Sequence, residues 1–80
     1  MTIQQFIKRC VYGQTKYRFL IYDNIALENI IYNFDIDYHS NDPDISFKVN
    51  KVLDIEGKAT LDHIGAEEDG FLKIVGYFEG

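Results

Sequence analysis

The first residues of the chain follow a helical pattern of hydrophobic positions. Four apolar residues are spaced at i, i+3, i+4 and i+7, which places them on one face of a helix: Ile3, Phe6, Ile7 and Cys10. Thr2 and Gln5 have the spacing of a capping box, and Gly13 stands where such a helix would end. The sequence therefore predicts a short amphipathic N-terminal helix with Cys10 on its buried face.

After Gly13 the hydrophobic pattern changes to the period of 2 that is typical of β-strands. Residues 16–22 are rich in aromatic and branched side chains, and the turn-forming pair Asp23-Asn24 follows them. The alternation is clearest in the next segment, where every even position is apolar: Ile30, Tyr32, Phe34, Ile36 and Tyr38. This pattern predicts two strands, the second with one buried face and one wet, acidic face.

A polar loop at residues 39–44 separates this strand from a further alternating segment. The apolar residues of that segment are Ile45, Phe47 and Val49. The alternation slips afterwards, and this change of phase predicts a β-bulge near Asn50 and Lys51. The periodicity also predicts that four of the six phenylalanines belong to the core, namely Phe6, Phe19, Phe34 and Phe47.

The last third of the chain contains a hairpin pattern. Residues 58–64 fit either a strand or a turn of helix, and both alternatives stay open. The segment Glu67-Glu68-Asp69-Gly70 predicts a tight turn. Residues 71–78 are predicted to form the final strand, in which Gly76 allows a bend or close packing. Residues 1–80 are therefore expected to form a single α+β domain, with one N-terminal helix packed on a four- or five-stranded antiparallel sheet.

Charge is distributed unevenly along the chain. Residues 1–18 carry four cations and no acid, whereas residues 19–80 carry four lysines and all thirteen carboxylates, a net charge of −9. Such an acidic surface repels nucleic-acid phosphates and anionic lipids, so direct binding to either is disfavoured. The longest hydrophobic run is residues 19–22, the start MTIQQFIKRC lacks a secretory pattern, and there is one cysteine. We therefore expect a cytoplasmic protein.

Metal and catalytic chemistry have weak support in the sequence. Asp35, Asp37 and His39 alternate and would share one strand face, so a small metal-dependent enzyme centred on them is one hypothesis. The calcium-loop pattern fails because Ser40 replaces its glycine. A thiol nucleophile would need Cys10 to be exposed. We expect no metal, no cofactor and no catalytic residues, and hence no enzyme.

Neither a histidine base nor a phosphate-binding loop has strong support in the sequence. His63 follows Asp62 and could be an oriented base, but a histidine among polar neighbours is more often a surface residue. The glycines match neither a dinucleotide-binding motif nor a phosphate-binding loop.

The opening MTIQQFIK, the strand that ends at Tyr22-Asp23 and the late segment DGFLKI together resemble short acidic proteins encoded by phages and prophages. Anti-CRISPR and other anti-defence inhibitors are well represented in that class. The resemblance implies a non-enzymatic inhibitor in the cytoplasm of the host cell. Its acidic face would occupy a basic nucleic-acid-binding surface of a partner such as a CRISPR effector, without itself binding nucleic acid or membrane.

Eight of the thirteen acidic residues fall into two clusters that contain no lysine or arginine, and seven of these eight belong to the predicted contact surface. The predicted partner-binding residues are Asp35, Asp37, Tyr38, Asp42, Asp44, Glu67, Glu68 and Asp69. The alternative is a structural or assembly module that forms homo-oligomers through strand edges and tyrosines. The identity of the partner and the oligomeric state stay open.

Overall fold

A computed structural model describes residues 1–9 and 15–78 of the chain. Its elements, in chain order, are α1 (Ile3–Arg9), β1 (Lys16–Tyr22), β2 (Ile30–Asp37), α2 (Ile45–Lys58), β3 (Ala59–Ala66) and β4 (Leu72–Phe78). None of the helices in these residues is long and apolar enough to cross a membrane. The predicted burial of Cys10 and the predicted helix end at Gly13 lie outside the described residues.

The four strands form one sheet in the order β2-β1-β4-β3. β1 and β2 are an antiparallel hairpin, and so are β3 and β4. The two hairpins meet through parallel pairing of β1 with β4, in which Phe19 lies opposite Ile74. The expectation of a wholly antiparallel sheet was therefore wrong. The segment containing α2 carries the chain back across the sheet, and such a crossover is what parallel strands require.

The prediction of a strand and a β-bulge after residue 44 was also wrong, because residues 45–58 form α2. Ile45, Val49, Val52 and Ile55 are spaced at i, i+4, i+7 and i+10, and all four pack in or against the core. The apparent change of phase was thus the 3.6-residue period of a helix. Phe47 points away from that face and is 64% exposed, so its assignment to the core was wrong as well. The open alternative at residues 58–64 is resolved, since β3 begins at Ala59.

Both helices pack on one face of the sheet. The largest fully buried side chains are Phe19, Ile3, Ile21, Ile36, Ile55 and Ile74. In β2 the predicted alternation holds in part, because Ile36 is buried and Tyr32 and Phe34 are half-buried, while Ile30 and Tyr38 are exposed. None of the helices in residues 1–9 and 15–78 lies on the opposite face of the sheet, and we call that face the open face. It presents the even-numbered residues of β1 and the odd-numbered residues from 33 to 37 of β2.

The capping box and the close packing at Gly76 are both present. Thr2 N–H donates to Gln5 Oε1 at 3.0 Å, and Gln5 N–H donates to Thr2 Oγ1 at 3.1 Å. A Cβ atom added at Gly76 would lie 2.5 Å from the carbonyl oxygen of Thr60 and 2.8 Å from Cδ1 of Ile3. Only glycine lets α1 and β3 approach β4 this closely.

Candidate functional site

One end of the sheet collects the predicted contact residues. β1 begins there, β2 ends there and the turn between β3 and β4 lies there, since Lys16 pairs with Asp37 and Leu72 pairs with both Tyr17 and Ala66. The loop from β2 to α2 leaves the same end. We call the seven carboxylates at this end the acidic end: Asp35, Asp37, Asp42, Asp44, Glu67, Glu68 and Asp69.

Arg18 joins the two acidic clusters of the sequence. It lies on the open face of β1, directly opposite Asp35. Its Nε and Nη2 donate to the two carboxylate oxygens of Asp35 at 2.8 and 3.1 Å, and Nη2 also donates to Asp69 at 2.8 Å. Glu67 lies 3.5 Å from Nη1. One guanidinium therefore links carboxylates from β2 and from the β3–β4 turn, which are far apart in the chain.

The guanidinium is also held by an aromatic ring. The Cζ atom of Arg18 lies 4.8 Å from the centre of the Phe71 ring, and the Nζ of Lys16 lies 5.8 Å from the same centre. A cation over an aromatic face is attracted by the ring quadrupole. A cavity of about 480 Å³ adjoins this network and is lined by Arg18, Ala66, Glu67, Glu68 and Asp69. Arg18 is thus the fixed centre of the acidic end.

The ion pairs favour the ionised forms of Arg18 and Asp69. The hydrogen bonds that Arg18 donates to Asp35, and then to Asp69, raise the pKa of Arg18. The pKa of Asp69 is lowered, first by the hydrogen bond from Arg18 and then by the backbone N–H of Phe71. Among the described side chains, seven carboxylates and four cations lie at this end, a net charge of −3; the cations are Lys16, Arg18, Lys48 and Lys73.

Carboxylates of the loop after β2 accept hydrogen bonds that stabilise the conformation of that loop. Asp42 accepts a hydrogen bond from Lys48 at 2.7 Å and another from the N–H of Asp44 at 2.9 Å. These two bonds, that of Lys48 first, lower the pKa of Asp42. Asp37 accepts from the N–H of His39 at 3.0 Å. Asp44 is the N-cap residue of α2 but makes no side-chain capping bond, so its carboxylate points to solvent.

Tyr38 lies at the border of the acidic end. Its ring meets that of Tyr17 edge to face, with the centroids 6.1 Å apart, and the residue is 43% exposed. Partial burial, followed by the charges of Glu56 and Tyr17, raises the pKa of its hydroxyl. The ring is therefore anchored on one side and open to a partner on the other.

The residues of the metal hypothesis are engaged in other contacts. The Asp35 carboxylate is bound by Arg18, and Asp37 binds the backbone of His39. Across residues 1–9 and 15–78 no group of three or more His, Cys, Asp or Glu side chains is arranged to hold a metal ion. Nδ1 of His63 lies 2.5 Å from Asp62, and both residues are exposed.

Sequence reasoning missed Arg18, which it had counted only within a basic N-terminal segment. The alternation of Lys16, Arg18 and Leu20 does place these residues on one strand face. The pairing of Arg18 with Asp35 depends on the register of the hairpin, however, and its contact with Asp69 depends on the parallel pairing of β1 with β4. Neither is encoded in local spacing.

Comparisons of the chain with protein-family models, with curated proteins and with solved structures give no match in any of the three.

Proposed function

We propose that this chain is a non-enzymatic protein-binding inhibitor of the phage anti-defence kind. Its acidic end occupies a basic nucleic-acid-binding surface of its partner, such as the channel of a CRISPR effector. The observation that carries the proposal is the network around Arg18, which holds Asp35, Glu67 and Asp69 from two separate segments on one surface.

Preorganisation is the physical advantage of that network. Neighbouring carboxylates repel one another, and flexible ones lose conformational entropy when a partner fixes them. The bidentate pair with Arg18 fixes Asp35 in advance, and the turn containing Gly70 fixes Asp69. Asp35 and Asp37 are alternate strand residues and lie about 6.8 Å apart along the strand. Regularly spaced negative charges of this kind imitate the phosphates of a nucleic-acid strand.

Two properties follow from a charge-based contact. Exposed carboxylates at a basic groove raise the association rate and the specificity, and salt screens them over a Debye length of about 8 Å at physiological ionic strength. Binding therefore weakens as salt is added. The nucleic acid of the partner competes for the same surface.

The experiment compares two doubly neutralised variants with the same change in charge. In the test variant, Asp37→Asn and Glu68→Gln remove two charges of the acidic end while keeping every bond of Arg18. In the control variant, Glu28→Gln and Asp62→Asn remove two charges outside it. The partner is captured from host lysate with the wild-type chain, purified and titrated with all three proteins at two salt concentrations.

We expect the test variant to bind roughly 3- to 10-fold more weakly than the wild type, and the control variant to bind like the wild type. Far-UV circular dichroism should be the same for all three. An affinity that changes neither with salt nor with the test substitutions would contradict the proposal. Simultaneous binding of the chain and the nucleic acid to the partner would contradict it as well.

A further inference from the structure

The two edges of the sheet are protected differently. At the β3 edge, the N-terminal segment pairs with the strand. Thr2 forms an isolated antiparallel β-bridge with Thr60, and the N–H of Leu61 donates to the carbonyl of Met1 at 3.0 Å. An irregularity between Leu61 and His63 further interrupts that strand. β2 is the other edge strand. Among the described residues, no strand pairs with its outer side, and an edge of this kind is a template for another strand.

The register shows which backbone groups β2 presents at its free edge. The N–H of Tyr38 donates to the carbonyl of Thr15, one step beyond the pair formed by Lys16 and Asp37. In an antiparallel ladder, hydrogen-bonded pairs alternate with pairs whose backbone groups point outward. Tyr32, Phe34 and Ile36 therefore bond to β1, and the register shifts only beyond them, between Ile21 and Tyr22. Asn33, Asp35 and Asp37 direct their backbone groups outward. The carbonyl of Asp37 already accepts from the N–H and the hydroxyl of Ser40, at 3.0 and 2.8 Å, so the free edge consists mainly of Asn33 and Asp35.

The side chains on either side of this edge differ in character. Asn33, Asp35 and Asp37 are on the open face, where they offer an amide and two carboxylates. On the helix face, Phe34 is half-buried, and Lys51 lies over its ring at 5.5 Å and over that of the exposed Phe47 at 4.8 Å. The edge is acidic on one face and aromatic on the other.

We propose that the free edge of β2 binds an extended segment of the partner protein, antiparallel to β2, in which basic residues alternate with apolar ones. The basic side chains lie opposite Asp35 and Asp37, and the apolar ones turn towards Phe34 and Phe47. Backbone hydrogen bonds supply the affinity and the alternating side chains supply the specificity, as in other cases of strand addition. This inference rests on the proposed function in requiring a basic partner.

A second copy of the chain fits this edge less well than a single strand does. Asp35 and Asp37 lie on the open face at this edge. Two copies paired edge to edge would bring the aspartates of one β2 beside those of the other, and like charges opposite one another are destabilising. An extended basic segment meets these carboxylates with charges of the opposite sign.

The test uses a capped seven-residue peptide in which lysine alternates with valine, added to the ¹⁵N-labelled full chain. Amide hydrogen exchange should slow at Asn33 and Asp35, while Tyr32 and Phe34, which already bond to β1, keep their rates. In antiparallel pairing the lysine amides of the peptide face β2. Methylating these nitrogens should weaken binding by roughly tenfold, because hydrogen bonds are lost, whereas methylating the valine nitrogens should leave affinity unchanged.

Two variants of the chain complete the experiment. Asp37→Asn removes a charge beside the edge and should weaken peptide binding. Glu28→Gln removes one outside the acidic end and should leave peptide binding unchanged. Equal binding of the two methylated peptides would overturn the inference, as would self-association of the free chain that protects Asn33 and Asp35. Salt-sensitive binding of the whole partner without any peptide binding would overturn the strand pairing and leave the proposed function standing.

Discussion

The phenylalanine rings of this chain occupy distinct environments. Phe19 is fully buried and stacks on Phe34, with the ring centroids 5.3 Å apart, whereas Phe34 is half-buried and Phe47 is 64% exposed. We expect Phe19→Ala to lower the free energy of unfolding by about 3–5 kcal/mol, because it leaves a cavity in the core. Phe47→Ala should change it by about 0.5 kcal/mol or less. Urea denaturation measures both, and equal losses would contradict the fold.

The close approach at Gly76 gives a second prediction for a single residue. Gly76→Ala places a Cβ atom against the carbonyl of Thr60, so we expect a loss of about 1–3 kcal/mol in the free energy of unfolding. Gly65→Ala is the matched control, because nothing lies within 4 Å of a Cβ atom added there. Thermal denaturation should therefore separate the two variants. Similar melting temperatures would show that α1 does not pack on β4 as described.

Among the elements, the turn between β3 and β4 depends on one glycine. Gly70 has a φ of +87°, and its N–H donates to the carbonyl of Glu67 at 3.2 Å. We expect Gly70→Ala to cost about 1 kcal/mol in the free energy of unfolding, because alanine is strained at positive φ. Gly57→Ala, in the last turn of α2, should instead raise stability by about 0.5–1 kcal/mol. Chemical denaturation of the two variants checks the opposite signs.

The elements also show how far local pattern predicts structure. The N-terminal helix, its capping box, the first two strands and the Asp69-Gly70 turn were confirmed, because short-range spacing and turn chemistry determine each of them. α2 was mistaken for a strand because Ile45, Phe47 and Val49 satisfy a period of 2 by chance. Counting onward to Val52 and Ile55 would have shown the helical period.

Features that depend on contacts between distant segments were not predictable. No local residue pattern in β1 or β4 indicates that these two strands pair in parallel. The same pairing brings Asp69 to Arg18. The acidic residues of the predicted contact surface could therefore be named from the sequence. The cation that joins them, Arg18, could not.

For the molecule as a whole, paired carboxylates determine the stability at low pH. Cations lower the pKa of three aspartates below the ordinary value of 3.8: Lys48 acts first on Asp42, Lys58 on Asp54 and Arg18 on Asp69. A carboxyl whose pKa is lower in the folded state stabilises the fold above its unfolded pKa. That stability is lost as the pH falls through the folded pKa.

We therefore expect the free energy of unfolding to fall as the pH drops below 3.8, and to fall less steeply in Asp69→Asn. Denaturant titrations at a series of pH values check this. Wild type and variant should converge at a pH below the folded pKa of Asp69, where that carboxyl is protonated in both states. Parallel profiles at every pH would mean that Arg18 does not bind Asp69 in solution.

The parallel seam between β1 and β4 has a kinetic consequence. Each hairpin joins strands that are neighbours in the chain, whereas the seam pairs Phe19 with Ile74, which are 55 positions apart. Closing so long a loop is entropically slow, and a two-stranded hairpin is only marginally stable by itself. Folding should therefore wait for the two hairpins to dock along this seam. Truncating Ile74 to valine should slow refolding in stopped-flow experiments, which places the rate-limiting step of folding at the centre of the sheet.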